Sequence, residues 1–203
     1  MQVEVFADVW CPFTHVGLRR FVELREHMDV APVLIVRSWP LELVNGKPMD
    51  PAFIGEEVED IRGSVAPELF TGFDEARFPT TTLGALALTS RAYESSPAVG
   101  EAVALELRDR LFERGEDIGD PDVLAEVAAA HGLPAGAADD HDLAVRDWHE
   151  GQSRGVIGSP HFFTPGGDWF CPSLDVSRAS DGHLRITDDP EGFDAFVRSC
   201  REA

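Results

Sequence analysis

The pattern of apolar and polar positions divides the first part of the chain into three elements. Apolar residues occupy alternate positions near the start, which predicts a strand over residues 2–7. The spacing then changes to three and four, which predicts a helix from Pro12 to Met28 with Cys11 at its N-terminus. The aliphatic run Val33 to Val36 is typical of a strand buried on both faces. The chain therefore opens with a predicted β-α-β unit.

A long middle segment has a helical pattern and no strand pattern. Between about Pro48 and Pro134, proline and glycine separate stretches with helical spacing. One predicted helix begins at Ser96 and Pro97 and is closed by Gly115. A second begins at Asp120 and Pro121 and ends at Gly132, and a polar helix is predicted over Ala138 to Arg154. We interpret residues 48–134 as a helical insertion.

Strand patterns return after this block. Residues His161 to Thr164 and Asp168 to Cys171 flank the sequence Pro165-Gly166-Gly167 and predict a hairpin, and a final helix begins at Asp189-Pro190. The order of elements predicts an α/β, thioredoxin-like fold with an inserted all-helical domain. The predicted boundaries are residues 1–47 and 135–203 for the thioredoxin-like domain and 48–134 for the inserted domain.

Charge and hydropathy exclude two classes of partner. The 203 residues contain 17 basic and 37 acidic side chains, a net charge of −20 that repels nucleic acid and anionic membrane surfaces. No apolar run approaches the roughly 20 residues of a membrane-spanning helix. Because nothing resembling a signal peptide precedes the first strand, the expected location is the cytoplasm.

The cysteine count limits the chemistry that the chain can use. Cys11, Cys171 and Cys200 are an odd number at wide spacing, which suits neither a disulfide scaffold nor a zinc site. In a reducing compartment all three are expected to be free thiols. No metal site is predicted.

Three segments resemble those of a known family. Asp8 to Thr14, which contains Cys-Pro-Phe-Thr, resembles the active-site segment of the DsbA-like thioredoxin-fold family, usually Cys-Pro-x-Cys. Gly155 to Phe162 resembles the cis-proline segment of that family, and Phe112 to Leu124 resembles its FrnE-type branch. The resemblance implies that Cys11 is the reactive thiol and that Pro160 is cis, with the Ser159 backbone turned toward Cys11.

The position of Cys11 supports a reactive thiol independently of the family. Unpaired N–H groups and the dipole at a helix start favour an anion, so we expect a Cys11 pKa below the ordinary value for a thiol. Thr14 lies one helical turn further on, where its hydroxyl can donate a hydrogen bond to the thiolate. Threonine cannot resolve a mixed disulfide, so its expected role is to stabilise the thiolate. With the cis-proline that the resemblance implies, the predicted catalytic residues are Cys11, Thr14 and Pro160.

Other residues near these segments are candidates for substrate binding or support. His15 is expected to be an exposed helix residue, and Asp8 either tunes the thiolate or caps the loop. Cys171 is expected opposite His161 and close to Cys11. The strand that begins after Pro160 is expected to lie between the strand of Cys171 and the strand that leads to Cys11. Cys200 is expected to be structural. The predicted substrate-binding residues are Pro12, Phe13, Trp10, Ser159 and Trp39.

The leading functional hypothesis is a thiol-disulfide oxidoreductase of monothiol type. Cys11 would attack a disulfide, and an external thiol, glutathione or mycothiol, would act as co-substrate and resolve the intermediate, with no tightly bound cofactor. One alternative is a thiol-dependent isomerase or transferase that resembles 2-hydroxychromene-2-carboxylate isomerase and kappa-class glutathione transferases, which typically have serine at the Cys11 position. Another is a redox-silent binding module. The expected partners are small thiols and disulfide-containing substrates, and a homodimer is left open.

Overall fold

Strands occupy the two ends of the chain, and helices alone occupy its middle. The computed structural model describes residues 1–180 and 183–201, so residues 181–182 and 202–203 of the predicted thioredoxin-like domain lie outside it. The strands are β1 (Gln2–Ala7), β2 (Val33–Ser38), β3 (His161–Thr164), β4 (Gly167–Phe170), β5 (Leu174–Arg178) and β6 (Leu184–Asp188). The helices are α1 (Pro12–Glu26), α2 (Leu41–Asn45), α3 (Pro51–Ser64), α4 (Leu83–Ser95), α5 (Pro97–Phe112), α6 (Pro121–Ala130), α7 (Asp142–Ser153) and α8 (Pro190–Ser199), with a short 3-10 helix at Glu75–Arg77.

The main sheet has the strand order β2-β1-β3-β4. β1 runs parallel to β2 and antiparallel to β3, and β3 and β4 form the predicted hairpin. Val5 at the centre of β1 pairs with Val36 on one side and Phe162 on the other. This arrangement is the α/β, thioredoxin-like fold that the order of elements predicts, with the helical block inserted after β2.

The first helix begins as predicted and ends earlier than predicted. Pro12 occupies the first turn, where its missing N–H costs no hydrogen bond, and Cys11 is the N-cap residue. The helix ends at Glu26 rather than Met28, because the His27 and Met28 amides already bond to Leu24 and Arg25 in a tighter turn. Met28 still packs against the core, which explains why its apolar spacing continues the pattern.

The second strand corrects one prediction. β2 lies at the edge of the sheet and is buried on one face only, with Leu34 and Val36 in the core and Val33 exposed. Its free edge is covered by side chains, since the Tyr93 hydroxyl accepts from the Val36 amide and donates to the Leu34 carbonyl. An aliphatic run therefore occurs here in an edge strand. Helices, and not a further strand, pack beside it.

The middle of the chain is helical, as the punctuation predicts. Residues 48–134, all of which the structure describes, contain helices and turns and no strand. The Ser96 hydroxyl caps α5 by accepting from the Val99 amide, as expected from its position before Pro97. The polar helix α7 begins at Asp142, later than the predicted Ala138, because turns occupy the preceding residues.

The helical block shares its core with the thioredoxin-like part. One apolar cluster joins Trp10 and Val16 near the first motif to residues of α3 through α6 and to Leu174 and Ile186. The division into two domains at residues 47/48 and 134/135 stays a prediction. Among the helices that the structure describes, none has the length and apolar character needed to cross a membrane.

The sequence analysis missed a second, two-stranded sheet. β5 and β6 pair antiparallel between the hairpin and the final helix, with Val176 opposite Ile186. Their sequences do alternate with a period of two, as Leu184 and Ile186 flank Arg185, so a signal was present. The Leu184 amide bonds to the Asp60 carboxylate of α3, which fastens this small sheet to the helical block.

Candidate active site

Cys11 lies against the segment that precedes Pro160. Its side chain is 4% exposed, and its thiol donates a hydrogen bond to the Ser159 carbonyl, with Sγ and O 3.2 Å apart. The Ser159–Pro160 peptide bond is cis. The fold thus brings together two motifs that are almost 150 residues apart in the chain.

Thr14 joins the same group of polar atoms. Its side chain is fully buried, and its hydroxyl lies 2.8 Å from the Ser159 hydroxyl, with which it shares a hydrogen bond. The Ser159 hydroxyl also accepts from the Asp8 amide at 2.9 Å. Ser159 therefore contacts the residues before, at and after Cys11, and it fixes the distance between the two motifs.

The ionisation of Cys11 differs from the expectation based on helix position. Burial raises the pKa of the Cys11 thiol, and the hydrogen bonds from Thr14 and Ser159, which favour the thiolate, do not offset this effect. The nearby Glu57 carboxylate raises the Cys11 pKa further. The prediction of a lowered pKa is therefore wrong for this arrangement, in which the protonated thiol is the resting form.

An acidic residue, Asp8, and a basic residue, Arg108, are buried near the loop that contains Cys11. Burial raises the pKa of Asp8 to about 7, although its Oδ2 accepts from the Leu41 amide at 2.6 Å and Thr82 also bonds to it. Arg108 of α5 is 1% exposed, donates to the Asp8 carbonyl, and has a pKa that burial lowers to about 10. Asp8 thus caps the loop, and its carboxyl also titrates near neutral pH.

His15 is buried, which corrects the expectation of an exposed histidine. Its ring lies against Phe70 and Phe112 of the helical block, and its Nε2 is 2.8 Å from Glu113 Oε1. Glu113 also accepts from the backbone amides of Phe70 and Thr71. Burial would raise the pKa of Glu113, but these bonds outweigh it and lower the pKa to about 2, so the carboxylate accepts from His15. This contact attaches the active-site helix to the insertion.

The aromatic candidates separate into two groups. Trp10 is fully buried and stacks on Phe78, and Trp39 packs edge-on against Phe6 in a different apolar cluster, so neither lines the cavity beside Cys11. Their rings fill the core, and their assignment as substrate-binding residues stays a prediction. Pro12 is buried in the first turn of α1. Phe13 remains at the surface of the site.

A cavity of about 380 Å³ opens beside Cys11. Phe13 and Ser159, which flank Cys11 in space, form one side of it, and the other side comes from the end of β4 and from β5. Phe170 is 51% exposed there, and Val176 is also exposed. The cavity is therefore an apolar recess that borders Ser159, the residue to which the Cys11 thiol bonds.

Cys171 lies at the edge of this cavity in a register one residue away from the predicted one. The hairpin turn has two residues, so Phe170 is opposite His161 and the Cys171 amide bonds to the Pro160 carbonyl. Burial raises the pKa of Cys171 to about 12, and Cys11 adds to this effect. That Cys171 does not act as a ready resolving thiol stays a prediction. Cys200 is fully buried in the core beneath the sheet, consistent with a structural role.

Several residues of this environment were not singled out by sequence. Glu113 belongs to the segment resembling the FrnE-type branch, but nothing in the pattern linked it to His15. Arg108, Glu57 and Asp175 reach the site from α5, α3 and β5, and no local spacing relates them to Cys11. Only their tertiary positions identify them.

Solved structures with the same fold include a disulfide reductase, an isomerase and a probable oxidoreductase. The cytosolic disulfide reductase DsbM from Pseudomonas aeruginosa has 15% identity and a TM-score of 0.60, covering 98% of this chain and 97% of its own. A 2-hydroxychromene-2-carboxylate isomerase has 14% identity and a TM-score of 0.60 over 84% of this chain and 88% of its own. A probable DsbA oxidoreductase from Streptomyces coelicolor has 20% identity and a TM-score of 0.56 over 80% and 79%.

The comparison with family models is more specific than these structural similarities. No curated protein sequence matches the chain. The model for the DSBA-like thioredoxin domain matches residues 2–179, a range that includes the segments around Cys11 and Pro160 and the helical block between them. With this match over most of its length, and with the thioredoxin-like sheet and helical insertion described above, the chain belongs to the family of DSBA-like thioredoxin domains.

Proposed function

We propose that this protein is a DsbA-like thiol-disulfide oxidoreductase of monothiol type with Cys11 as its nucleophile. The observation that carries the proposal is the contact of the Cys11 thiol with the Ser159 carbonyl, while a threonine occupies the next turn of the helix. Cys11, Thr14 and Pro160 would form the catalytic group. Pro12, Phe13 and Ser159 would contact the substrate, and of these Phe13 and Ser159 border the cavity.

The reaction has two exchange steps. The Cys11 thiolate attacks one sulfur of a substrate disulfide, a Cys11–substrate disulfide forms, and the other sulfur leaves as a thiolate that takes up a proton. A small external thiolate then attacks this intermediate, releases Cys11, and leaves a mixed disulfide with the substrate sulfur. Away from Cys11, a second external thiolate displaces the substrate sulfur from this mixed disulfide. The two external thiols end as their own disulfide and supply the two electrons that reduce the substrate. Thr14 cannot take over the second step, because a hydroxyl is not a redox partner.

Protonation controls when the first step begins. The buried thiol donates to Ser159 at rest, so its proton must be transferred to a base in solution before the attack. A change in the solvation of the thiol when substrate binds would make this transfer easier. The Thr14 and Ser159 hydroxyls then favour the thiolate by hydrogen bonding to it. These two residues would thus lower the barrier to forming the nucleophile without serving as the nucleophile.

Glutathione or mycothiol is the co-substrate that we propose, with no tightly bound cofactor. A structure of DsbM from Pseudomonas aeruginosa with GSH, with 15% identity and a TM-score of 0.58, supports a small thiol as partner. Disulfide-containing substrates and a cytoplasmic location complete the proposal. We also propose that residues 48–134 form the inserted helical domain and residues 1–47 with 135–203 the thioredoxin-like domain.

Two observations favour alternative functions. The isomerase among the structural neighbours shares the fold, so a thiol-dependent isomerase or transferase is the second candidate, although the serine typical of that group is replaced by Cys11. The burial of Cys11 and its raised pKa favour a redox-silent binding module. Covalent reactivity of Cys11 toward disulfides separates the proposed function from the binding module.

The test is the fate of a mixed disulfide in the wild type and in Thr14→Cys. After treatment with oxidised glutathione or oxidised mycothiol, we expect one small-thiol adduct on wild-type Cys11 by intact mass. Thr14→Cys should release that adduct as an internal disulfide, because the new thiol acts at an effective concentration in the millimolar range or above. In a single turnover without added thiol, pre-reduced Thr14→Cys should reduce a substrate disulfide about tenfold faster or more than the wild type, because its two thiols supply both electrons and end as the internal disulfide.

Two controls make this test specific. Thr14→Ser keeps the hydroxyl that contacts Ser159 and should retain the adduct, whereas Cys11→Ser should not form one. If wild-type Cys11 takes up no adduct and both the wild type and Thr14→Cys are inactive, the oxidoreductase proposal is wrong, and the isomerase and binding-module alternatives take its place.

A further inference from the structure

The cavity beside Cys11 has an unusual composition for a site that binds small biological thiols. Its exposed surface is largely apolar and comes from Phe13, Phe170 and Val176. Its charged group is the Asp175 carboxylate on β5, the strand that the sequence analysis missed. Within residues 1–180 and 183–201, no lysine, arginine or histidine lines the cavity. A carboxylate of a bound thiol would therefore meet no positively charged partner on the cavity wall.

The charged groups behind the cavity do not reverse this balance. Glu57 of α3 acts on Cys11 as a further negative charge, and Asp60 lies close enough to raise the pKa of Glu57. Arg178 lowers the pKa of Glu57, and its guanidinium lies over the Phe53 ring on α3.

Another cation in this region, Arg20, is already engaged. It donates to the Asp188 carboxylate and to the carbonyls of Ser173 and Val65. The net charge of −20 extends the negative potential beyond the site. Anionic ligands are therefore disfavoured both on approach and at the cavity wall.

We propose that this cavity is the subsite for the sulfur-bearing small molecule that reacts with Cys11, and that Asp175 makes it select positively charged or uncharged thiols and disulfides over anionic ones. This inference rests on the proposed function, since it concerns the molecule that exchanges with Cys11. An ammonium group next to the reacting sulfur meets the Asp175 carboxylate. An uncharged group packs against the apolar wall, and a carboxylate is repelled.

The selection distinguishes between the two co-substrates proposed above. Glutathione carries two carboxylates and one ammonium group, so it enters with a net negative charge. Mycothiol is uncharged and presents hydroxyl groups. Asp175 therefore favours mycothiol, or another uncharged or cationic thiol, as the partner of Cys11.

The test compares three disulfides that differ in charge next to sulfur. They are cystamine, which is cationic, 2-hydroxyethyl disulfide, which is uncharged, and 3,3′-dithiodipropionate, which is anionic. In each case the Cys11 thiolate forms a mixed disulfide and the second half of the reagent leaves as a thiolate. The rate at which each disulfide forms an adduct on Cys11 is measured by mass. It is divided by the rate at which the same disulfide reacts with N-acetylcysteine amide, a small uncharged thiol, under the same conditions. This ratio removes intrinsic differences in reactivity between the three disulfides.

We expect the relative rates for the wild type to fall from cystamine through 2-hydroxyethyl disulfide to 3,3′-dithiodipropionate. Asp175→Asn should lower the cationic-to-anionic ratio by about two- to tenfold, the range for a solvent-screened charge pair counted for both reagents. Asp175→Arg should reverse the order, and 1 M salt should remove most of the difference, because the screening length is then only about 3 Å. Asp194→Asn, an exposed carboxylate on α8 away from the cavity, should leave the ratio unchanged.

Two outcomes overturn the inference, and they differ in what else they overturn. If wild-type protein and Asp175→Asn react with all three disulfides at equal relative rates, the charge selection is wrong while the proposed function stands. If Cys11 forms no adduct with any of the three, the proposed function fails and the selection fails with it. Because Asp175 is exposed, its variants are expected to fold, and circular dichroism of Asp175→Asn and Asp175→Arg checks this directly.

Discussion

Replacing Asp8 by asparagine should change how stability depends on pH. Asp8 is fully buried, and burial raises its pKa from 3.8 to about 7. Between these values the folded state holds a proton that the unfolded state has lost, so the free energy of unfolding falls as the pH rises through this window. The cost of ionising Asp8 is complete above pH 7, where both states are deprotonated.

The magnitude follows from the size of the pKa shift. A difference of about 3 units at 1.36 kcal/mol per unit corresponds to about 4 kcal/mol over the whole window. Between pH 5 and pH 8 only the upper part of the window is crossed, so Asp8 should lower the free energy of unfolding by about 2 to 3 kcal/mol. Asparagine cannot ionise and can still accept the hydrogen bond from the Leu41 amide, so Asp8→Asn should lack this loss.

The measurement is urea denaturation of the wild type and Asp8→Asn at pH 5 and pH 8. At each pH, the free energy of unfolding of the wild type is subtracted from that of Asp8→Asn. Other titrating groups contribute equally to both proteins, so the change in this difference from pH 5 to pH 8 reports Asp8 alone. We expect Asp8→Asn to gain about 2 to 3 kcal/mol relative to the wild type on going from pH 5 to pH 8. The exposed Asp194→Asn should show no such gain. A difference between the wild type and Asp8→Asn that stays constant to within about 0.5 kcal/mol would refute the argument that burial controls this carboxyl.

Two further predictions concern Glu113 and Cys11. Because Glu113 has its pKa lowered to about 2, its ionised form stabilises the fold above the ordinary value of 4.5, and this contribution is lost as the pH falls toward 2. Glu113→Gln should therefore reduce the free energy of unfolding by about 1 to 2 kcal/mol at pH 7 in urea denaturation, a value discounted for solvent screening of this partly exposed carboxylate. An unchanged value would contradict the stabilising role of its bonds to His15, Phe70 and Thr71. Because the pKa of Cys11 is raised, its alkylation by iodoacetamide should keep increasing beyond pH 9, and a plateau below pH 8 would show that the thiolate is stabilised after all.

The sequence predicted the fold well where a pattern is local. The period-two strand over residues 2–7, the proline-started helix after Cys11 and the proline-glycine hairpin all depend on neighbouring residues, and the structure contains each of them. The strand β2 was predicted as buried on both faces because an aliphatic run does not show which element lies beside it. β5 and β6 were missed although the alternation around Leu184 and Ile186 was visible.

The candidate site could be predicted only in part, for a related reason. Cys11, Thr14 and Ser159 meet because one segment follows β1 and the other precedes β3, two strands that pair antiparallel. His15 was expected to be exposed because a helix histidine has no local feature that buries it. Its burial depends on Phe70 and Phe112 of the helical block, far away in the sequence.

The helical block contacts the residues on both sides of Cys11 in the chain. Arg108 of α5 bonds to the carbonyl of Asp8, and Glu113 at the end of the same helix holds His15 one turn into α1. The helix start alone would favour a thiolate, as the sequence suggests. In the structure Cys11 is buried, and burial raises its pKa more than its hydrogen bonds lower it. The motif thus identifies the sulfur that would attack, whereas the burial of that sulfur controls how readily it loses its proton.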